Sequence, residues 1–188
     1  VETVERALRS KRHRLQAVRI YKKIKEGRIN IIEIPDREIK EAMNVANNIF
    51  HSDGKNIEIV HWGETECVLL ANDLKTRLIG IDEKTMRLLI ENPYKLRDLM
   101  ESRIHRKITI KDENLLKWKN LSNDLRVFRS VDLFIYALRK GYLEEYPLKN
   151  DLLEGGLWGM KFSGCSITED EIREYIRMVR EEWREKRY

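Results

Sequence analysis

Two cysteines in 188 residues leave little material for disulfide or zinc chemistry. Cys67 falls in an apolar helical pattern, Cys165 in a loop, and neither belongs to a Cys-x-x-Cys pair. A disulfide framework and a zinc site are therefore excluded as organising principles. Cys67 reads as a small core residue. No apolar run is long enough to cross a bilayer, and no secretory leader pattern is present. That implies a cytoplasmic location and no membrane partner. His61 and His105 are not spaced as metal ligands, so neither receives a catalytic role. Gly155-Gly156 and Gly159 lack the strand-and-helix context of a nucleotide loop and read as a turn. There are no internal repeats and no low-complexity linkers.

Charge is what the chain has in excess. Charged residues make up 37% of it, well above a typical domain. Such a surface resembles those of proteins built for heat. The net charge is +5 and the isoelectric point near 9.1, a balance that mildly favours a polyanionic partner, the plainer alternative being a solvated basic protein with no nucleic-acid role. Apolar content of 41% marks a globular chain rather than a disordered one. The length suits one domain with its own core.

Periodicity supplies the elements. Residues 2–26 read as one long helix, with Val4, Leu8, Leu15, Val18, Tyr21 and Ile24 at helical spacing and a basic opposite face. Ile29, Ile31, Ile32 and Ile34 suggest a strand stopped by Pro35. A helix follows over 36–50, then a turn at Ser52-Asp53-Gly54. The segment 57–60 is extended, 64–73 helical, 78–81 a strand, and 84–90 a helix stopped near Pro93. Further on, 96–100 is a short helix and Ile108-Thr109-Ile110 is strand-like. Asp112 can cap a helix holding Leu115, Leu116 and Trp118, and 125–128 is a strand candidate. Ser130 can cap the next helix, which Gly141 closes. Thr168-Glu169-Asp170-Glu171 is a capping box opening the last helix, with Ile167 and Ile172 as its staple. Alternating strands and helices with short links point to an α/β layered domain.

The chemistry concentrates in two blocks. Gly63-Glu64-Thr65-Glu66 through Ala71 starts a helix with a carboxylate. Ile81-Asp82-Glu83-Lys84 through Arg87 places an acidic pair just past a strand. Strand C-termini and helix N-termini share one edge of an α/β sheet, where ligands bind. Carboxylates converging there suit Mg²⁺, which prefers oxygen ligands. The plainer alternative is structural. Glu64 and Glu66 complement a helix dipole, and Asp82 caps the following helix. Arg87 either faces a phosphate or pairs with an acid of its own chain. Trp62, Trp118 and Trp158 either stack on bases or fill the core.

These blocks resemble the PIN-domain family of metal-dependent ribonucleases, in particular its archaeal and bacterial branch with a Gly-Glu helix start, an acidic pair and a nearby Arg. Ser130 through Tyr142, with Ala137 and Gly141 in an Ala-x-x-x-Gly pattern, is similar to that branch's later helix. The resemblance implies a three-layer fold with a mostly parallel central sheet flanked by helices. It touches the chain from about Val1 to Met178 and implies a single domain over 1–188, with an inserted segment over 92–128 and a C-terminal helical extension over 143–188. It implies an endoribonuclease that hydrolyses a structured RNA, such as transfer or ribosomal RNA, with Mg²⁺ or Mn²⁺. Glu64, Asp82 and Glu5 would be metal ligands, with Glu83 competing with Asp82. RNA contacts would come from Arg12, Arg14, Arg19, Arg87, Arg103, Arg106 and Lys107. Two departures stand out. The family opens on a strand ending in an Asp ligand, which does not precede Val1, so an N-terminal piece of roughly three dozen residues is expected upstream. Residues 92–128 are also longer than the usual connection. Two rival expectations accompany the enzyme: a catalytically silent module that binds RNA, a protein partner or a second copy, and the toxin of a toxin–antitoxin pair.

Overall fold

The computed structural model describes residues 8, 9, 11, 14–122 and 124–185. Glu5 and Arg12 therefore lie outside the described residues. The chain forms two compact units, Val1–Pro35 and Asp36–Tyr188.

In the first unit, helix α1 spans Arg14–Lys25. Gly27 follows it with φ +69, the left-handed geometry that ends a helix cheaply at glycine. The strand expected over 29–34 does not form. A strand needs a neighbour to take up its alternate amides and carbonyls. Here Ile29, Ile31 and Ile32 run exposed along an irregular segment.

The second unit is mixed α/β and mostly helical. Its elements are α2 (Asp36–Asn47), β1 (Phe50–Ser52), β2 (Lys55–Asn56), α3 (Trp62–Asp73), β3 (Leu78–Gly80), α4 (Lys84–Glu91), α5 (Pro93–Ile104), β4 (Thr109–Ile110), α6 (Asp112–Leu121), β5 (Arg126–Phe128), α7 (Ser130–Arg139), α8 (Lys149–Phe162) and α9 (Glu169–Glu185). The strands split into two sheets. One is antiparallel in the order β2-β1-β4, with His51 opposite both Asn56 and Thr109. The other is the parallel pair β3-β5, with Ile79 opposite Val127. Among the described residues a single, mostly parallel central sheet is not formed. The strands are too short and too few to cover helices on both faces.

Several local differences have plain causes. Pro93 opens α5 rather than merely stopping α4. Proline suits the first helical position because its missing N–H has no helical partner there, and Asn92 Oδ1 accepts the Lys95 amide at 3.0 Å as the cap. Gly155, Gly156 and Gly159 lie inside α8, not in a turn. At Gly156 a Cβ would collide with the Phe134 ring, so the glycine admits an aromatic side chain against the α8 backbone. Residues 92–128 are not a surface appendage. Leu96, Ile108, Leu115, Trp118 and Leu125 enter the main core beside Phe50, Val68, Ile79 and Leu89. A second core joins α7, α8 and α9 through Val131, Ile135, Leu153, Leu157, Ile172 and Val179. Cys67 is exposed, facing away from the Thr65–Val68–Ala71 side that α3 buries.

Candidate functional site

An open groove of about 850 Å³ runs beside the β1–β2 hairpin, and carboxylates reach it from two helix starts. Glu64 stands one turn into α3. Its Oε2 accepts the His61 amide at 2.9 Å, half of a capping box. Glu83 is the N-cap of α4, and its Oε2 accepts the Met86 amide at 2.7 Å. Each carboxylate is thus oriented by its own helix through one oxygen. Among the described residues neither forms an ion pair. Ile57, Ile59, Met100 and Ile104 give the groove its apolar lining, and Lys55, Arg103 and Arg106 supply positive charge. Arg106 is partnered by Asp53 at 2.5 Å. Arg103 and Lys55 make no ion pair among the described residues.

One side chain fixes the wall of this groove. Asn47 ends α2, and its Oδ1 accepts the amides of Ile59 at 2.7 Å and Val60 at 2.9 Å. Its Nδ2 donates to the Val60 carbonyl at 3.1 Å. The segment expected to be extended over 57–60 is therefore held at its start by β1, where the Ile57 amide donates to the Phe50 carbonyl at 2.9 Å, and at its end by the Asn47 amide side chain.

Asp82 goes elsewhere. It follows β3, as Arg129 and Ser130 follow β5, so all three share the carboxyl edge of the parallel pair. Asp82 Oδ1 accepts the Ser130 amide at 2.7 Å and the Cys165 thiol at 3.1 Å. Burial pushes the Asp82 carboxyl up, but hydrogen bonds from Ser130 and Cys165 and the nearby Arg129 charge outweigh it, and the net shift is downward. Beside it Arg129, only 7% exposed, donates to Glu171 Oε1 at 2.9 Å, to the Ser166 carbonyl at 3.2 Å and to Tyr175 Oη at 3.3 Å. Tyr175 in turn donates to Asp132 Oδ1 at 2.5 Å. Burial disfavours the Arg129 charge, yet Glu171 and Asp132 more than offset it, so its pKa is raised. Asp132 and Glu171 are both lowered: burial acts upward on each, and the hydrogen bonds with the Arg129 charge act downward more strongly.

The structure therefore brings Glu64 and Glu83 to one groove and turns Asp82 toward Ser130 and Cys165. Of the expected RNA contacts, Arg103 and Arg106 line the groove. Arg87 reaches Glu91 on its own helix at 3.3 Å. Lys107 is exposed but does not line the groove. Arg14 and Arg19 belong to the first unit, where Arg14 Nε donates to the Leu8 carbonyl at 2.8 Å. Trp118 is fully buried and unavailable for stacking. Among the described residues no three His, Cys, Asp or Glu side chains converge on one point. Family models, curated proteins and solved structures give no match to this chain.

Sequence reading missed Asn47, Arg129 and Cys165. Asn47 carries no motif. Arg129 precedes a capping pattern, and its partners Glu171 and Tyr175 lie more than forty residues away. Only its place next to Ser130, at a strand end, marked the region.

Proposed function

We propose that this chain is a metal-dependent endoribonuclease acting on a structured RNA laid in the groove beside the β1–β2 hairpin. The observation that carries the reading is that Glu64 and Glu83 line one groove together with Arg103 and Lys55. Two carboxylates fit the hard-cation rule. Mg²⁺ is commonly held by one or two carboxylates, its remaining positions taken by water and substrate phosphate. Glu64 and Glu83 would hold Mg²⁺ or Mn²⁺. The bound cation would polarise the phosphate and lower the pKa of an attacking water.

The chain's own residues do the rest. The His61 and Met86 amides fix one oxygen of each acid and leave the other free of these capping bonds. Arg103 and Lys55, which line the groove, would neutralise flanking phosphates. Ile57, Ile59 and Ile104 offer apolar surface to the sugar and base edges. Asp82 acts through the fold, by fixing the start of α7. Glu5 lies outside the described residues and is given no step here.

The test uses Glu64→Gln and Glu83→Gln. The amide oxygen still accepts the capping N–H, so the helices stay capped while the charge is lost. Each variant is expected to lose at least about 100-fold in Mg²⁺-dependent RNA cleavage, of the order seen when one transition-state-stabilising group is removed, with an unchanged circular dichroism spectrum. Full cleavage by both folded variants would reject the assignment. RNA binding by the wild type without cleavage at any Mg²⁺ or Mn²⁺ concentration would leave a silent binding module.

A further inference from the structure

The last helix carries a feature that the groove does not use. Arg173, Arg177, Arg180 and Arg184 recur at i, i+4, i+7 and i+11 of α9. At 3.6 residues per turn they fall within an arc of roughly 60° and run along about 16 Å of helix. They border a second, shallow groove of about 390 Å³ between α9 and Glu154 of α8. We infer that this arginine stripe is a second phosphate-backbone contact for the same RNA, a reading that rests on the RNA assignment made above.

The ordinary account of such a stripe is a solvated face tied up in ion pairs, and here the ties are incomplete. Arg180 is held by Glu154 and by Asn150 Oδ1. Arg173 reaches Glu169 and Asp170 only at 3.7 and 3.6 Å, all three side chains being well exposed. Arg177 and Arg184 form no ion pair among the described residues. Glu182, which lies on another face of α9, is instead clamped by Arg139 of α7 through two nitrogens, at 2.5 and 2.9 Å. Four guanidinium groups thus line a groove whose lining holds two carboxylates, Glu154 and Glu181, with Glu169 and Asp170 reaching Arg173 at its edge. Guanidinium forks suit phosphate oxygens. A lipid surface fits less well, because an interfacial helix needs a free apolar face, and α9 spends its own on the core through Ile172 and Val179.

The experiment measures binding of the full chain to a fluorescent, unstructured oligouridylate in EDTA, so that cleavage plays no part, over a range of KCl. Loss of two phosphate contacts in Arg177→Gln/Arg184→Gln is expected to reduce the log–log salt slope by about 1.4. That corresponds to roughly 25-fold weaker binding near 0.1 M salt, vanishing toward 1 M. Arg177→Lys/Arg184→Lys should keep most of the affinity. An unchanged slope and affinity in the Gln pair overturns the stripe while the groove reading stands. A reduced slope together with full cleavage by Glu64→Gln and Glu83→Gln upholds the stripe and rejects the groove. Absence of oligouridylate binding by the wild type overturns the stripe while the Mg²⁺-dependent groove reading stands, and capture by phosphatidylserine vesicles in that case would assign the stripe to lipid.

Discussion

Cys165 donates its thiol hydrogen to Asp82 Oδ1 across 3.1 Å, joining the segment after α8 to the end of β3. The same oxygen takes the Ser130 amide, and the Ser166 amide donates to the Asp82 carbonyl at 3.1 Å. One aspartate therefore binds together the parallel strand pair and the C-terminal helices. Around it, Asp132 and Glu171 share the Arg129 charge.

Acid should undo this junction first. Asp82, Asp132 and Glu171 are all held below their ordinary carboxyl values. A depressed carboxyl contributes stability above its unfolded pKa and loses it as pH falls through the folded value. Stability measured by urea unfolding should hold near neutrality and decline below the usual carboxylate range. Asp82→Asn should flatten part of that decline and cost about 1–3 kcal/mol at pH 7. A variant with the wild-type pH profile would show that Asp82 does not titrate as placed.

Arg129 should be the most expensive of these residues to remove. Arg129→Met leaves Glu171, Asp132 and Tyr175 facing a neutral side chain, and breaking a buried ion pair costs about 3 kcal/mol or more. The partner carboxylates are about one-third exposed, which puts the expectation at the low end of that range. Thermal unfolding of the purified variant checks it, and a loss below about 1 kcal/mol would mean that water replaces the guanidinium easily.

Two neighbouring glycines should respond in opposite directions. Gly156→Ala drives a methyl into the Phe134 ring, at an expected cost of about 1–3 kcal/mol. Gly155→Ala meets open space inside the same helix and should stabilise by about 0.5–1 kcal/mol. Equal effects in denaturant titrations would contradict the register of α8 against α7.

The capping box of α9 gives a smaller, cleaner number. Thr168 Oγ1 accepts the Glu171 amide at 3.2 Å, and Glu171 Oε2 accepts the Thr168 amide at 2.8 Å. Thr168→Ala should cost about 1 kcal/mol and speed amide exchange in the first turn of α9. Exchange equal to the wild type would show that the box does not hold the helix end.

That box was legible in the sequence because both partners sit three residues apart. Helices α3, α4, α6 and α7 were legible as elements from local pattern, but the caps of α4, α6 and α7 lie one residue from those expected, Glu83 rather than Asp82, Lys111 rather than Asp112 and Arg129 rather than Ser130; β3 and β5 were marked by their apolar runs. What escaped depends on distant partners. Ile29–Ile34 has strand composition, but pairing is decided by a neighbour that composition cannot name. Gly155 and Gly156 resemble a turn until Phe134 is known to lie against Gly156. The acidic blocks announced a site, yet which carboxylate faces the groove is decided by a one-residue step. Asp82 belongs to the strand edge and is taken up by Ser130 and Cys165, whereas Glu83 belongs to the helix cap and is left facing outward.

Asn47 shows how narrow such a fastening can be. Its amide supplies one donor and two acceptances to Ile59 and Val60, just past Ile57, whose own amide bonds the Phe50 carbonyl of β1. Asn47→Asp would keep both acceptances but set negative oxygen against the Val60 carbonyl. Exchange of one nitrogen for one oxygen is thus enough to loosen the bank of the first channel.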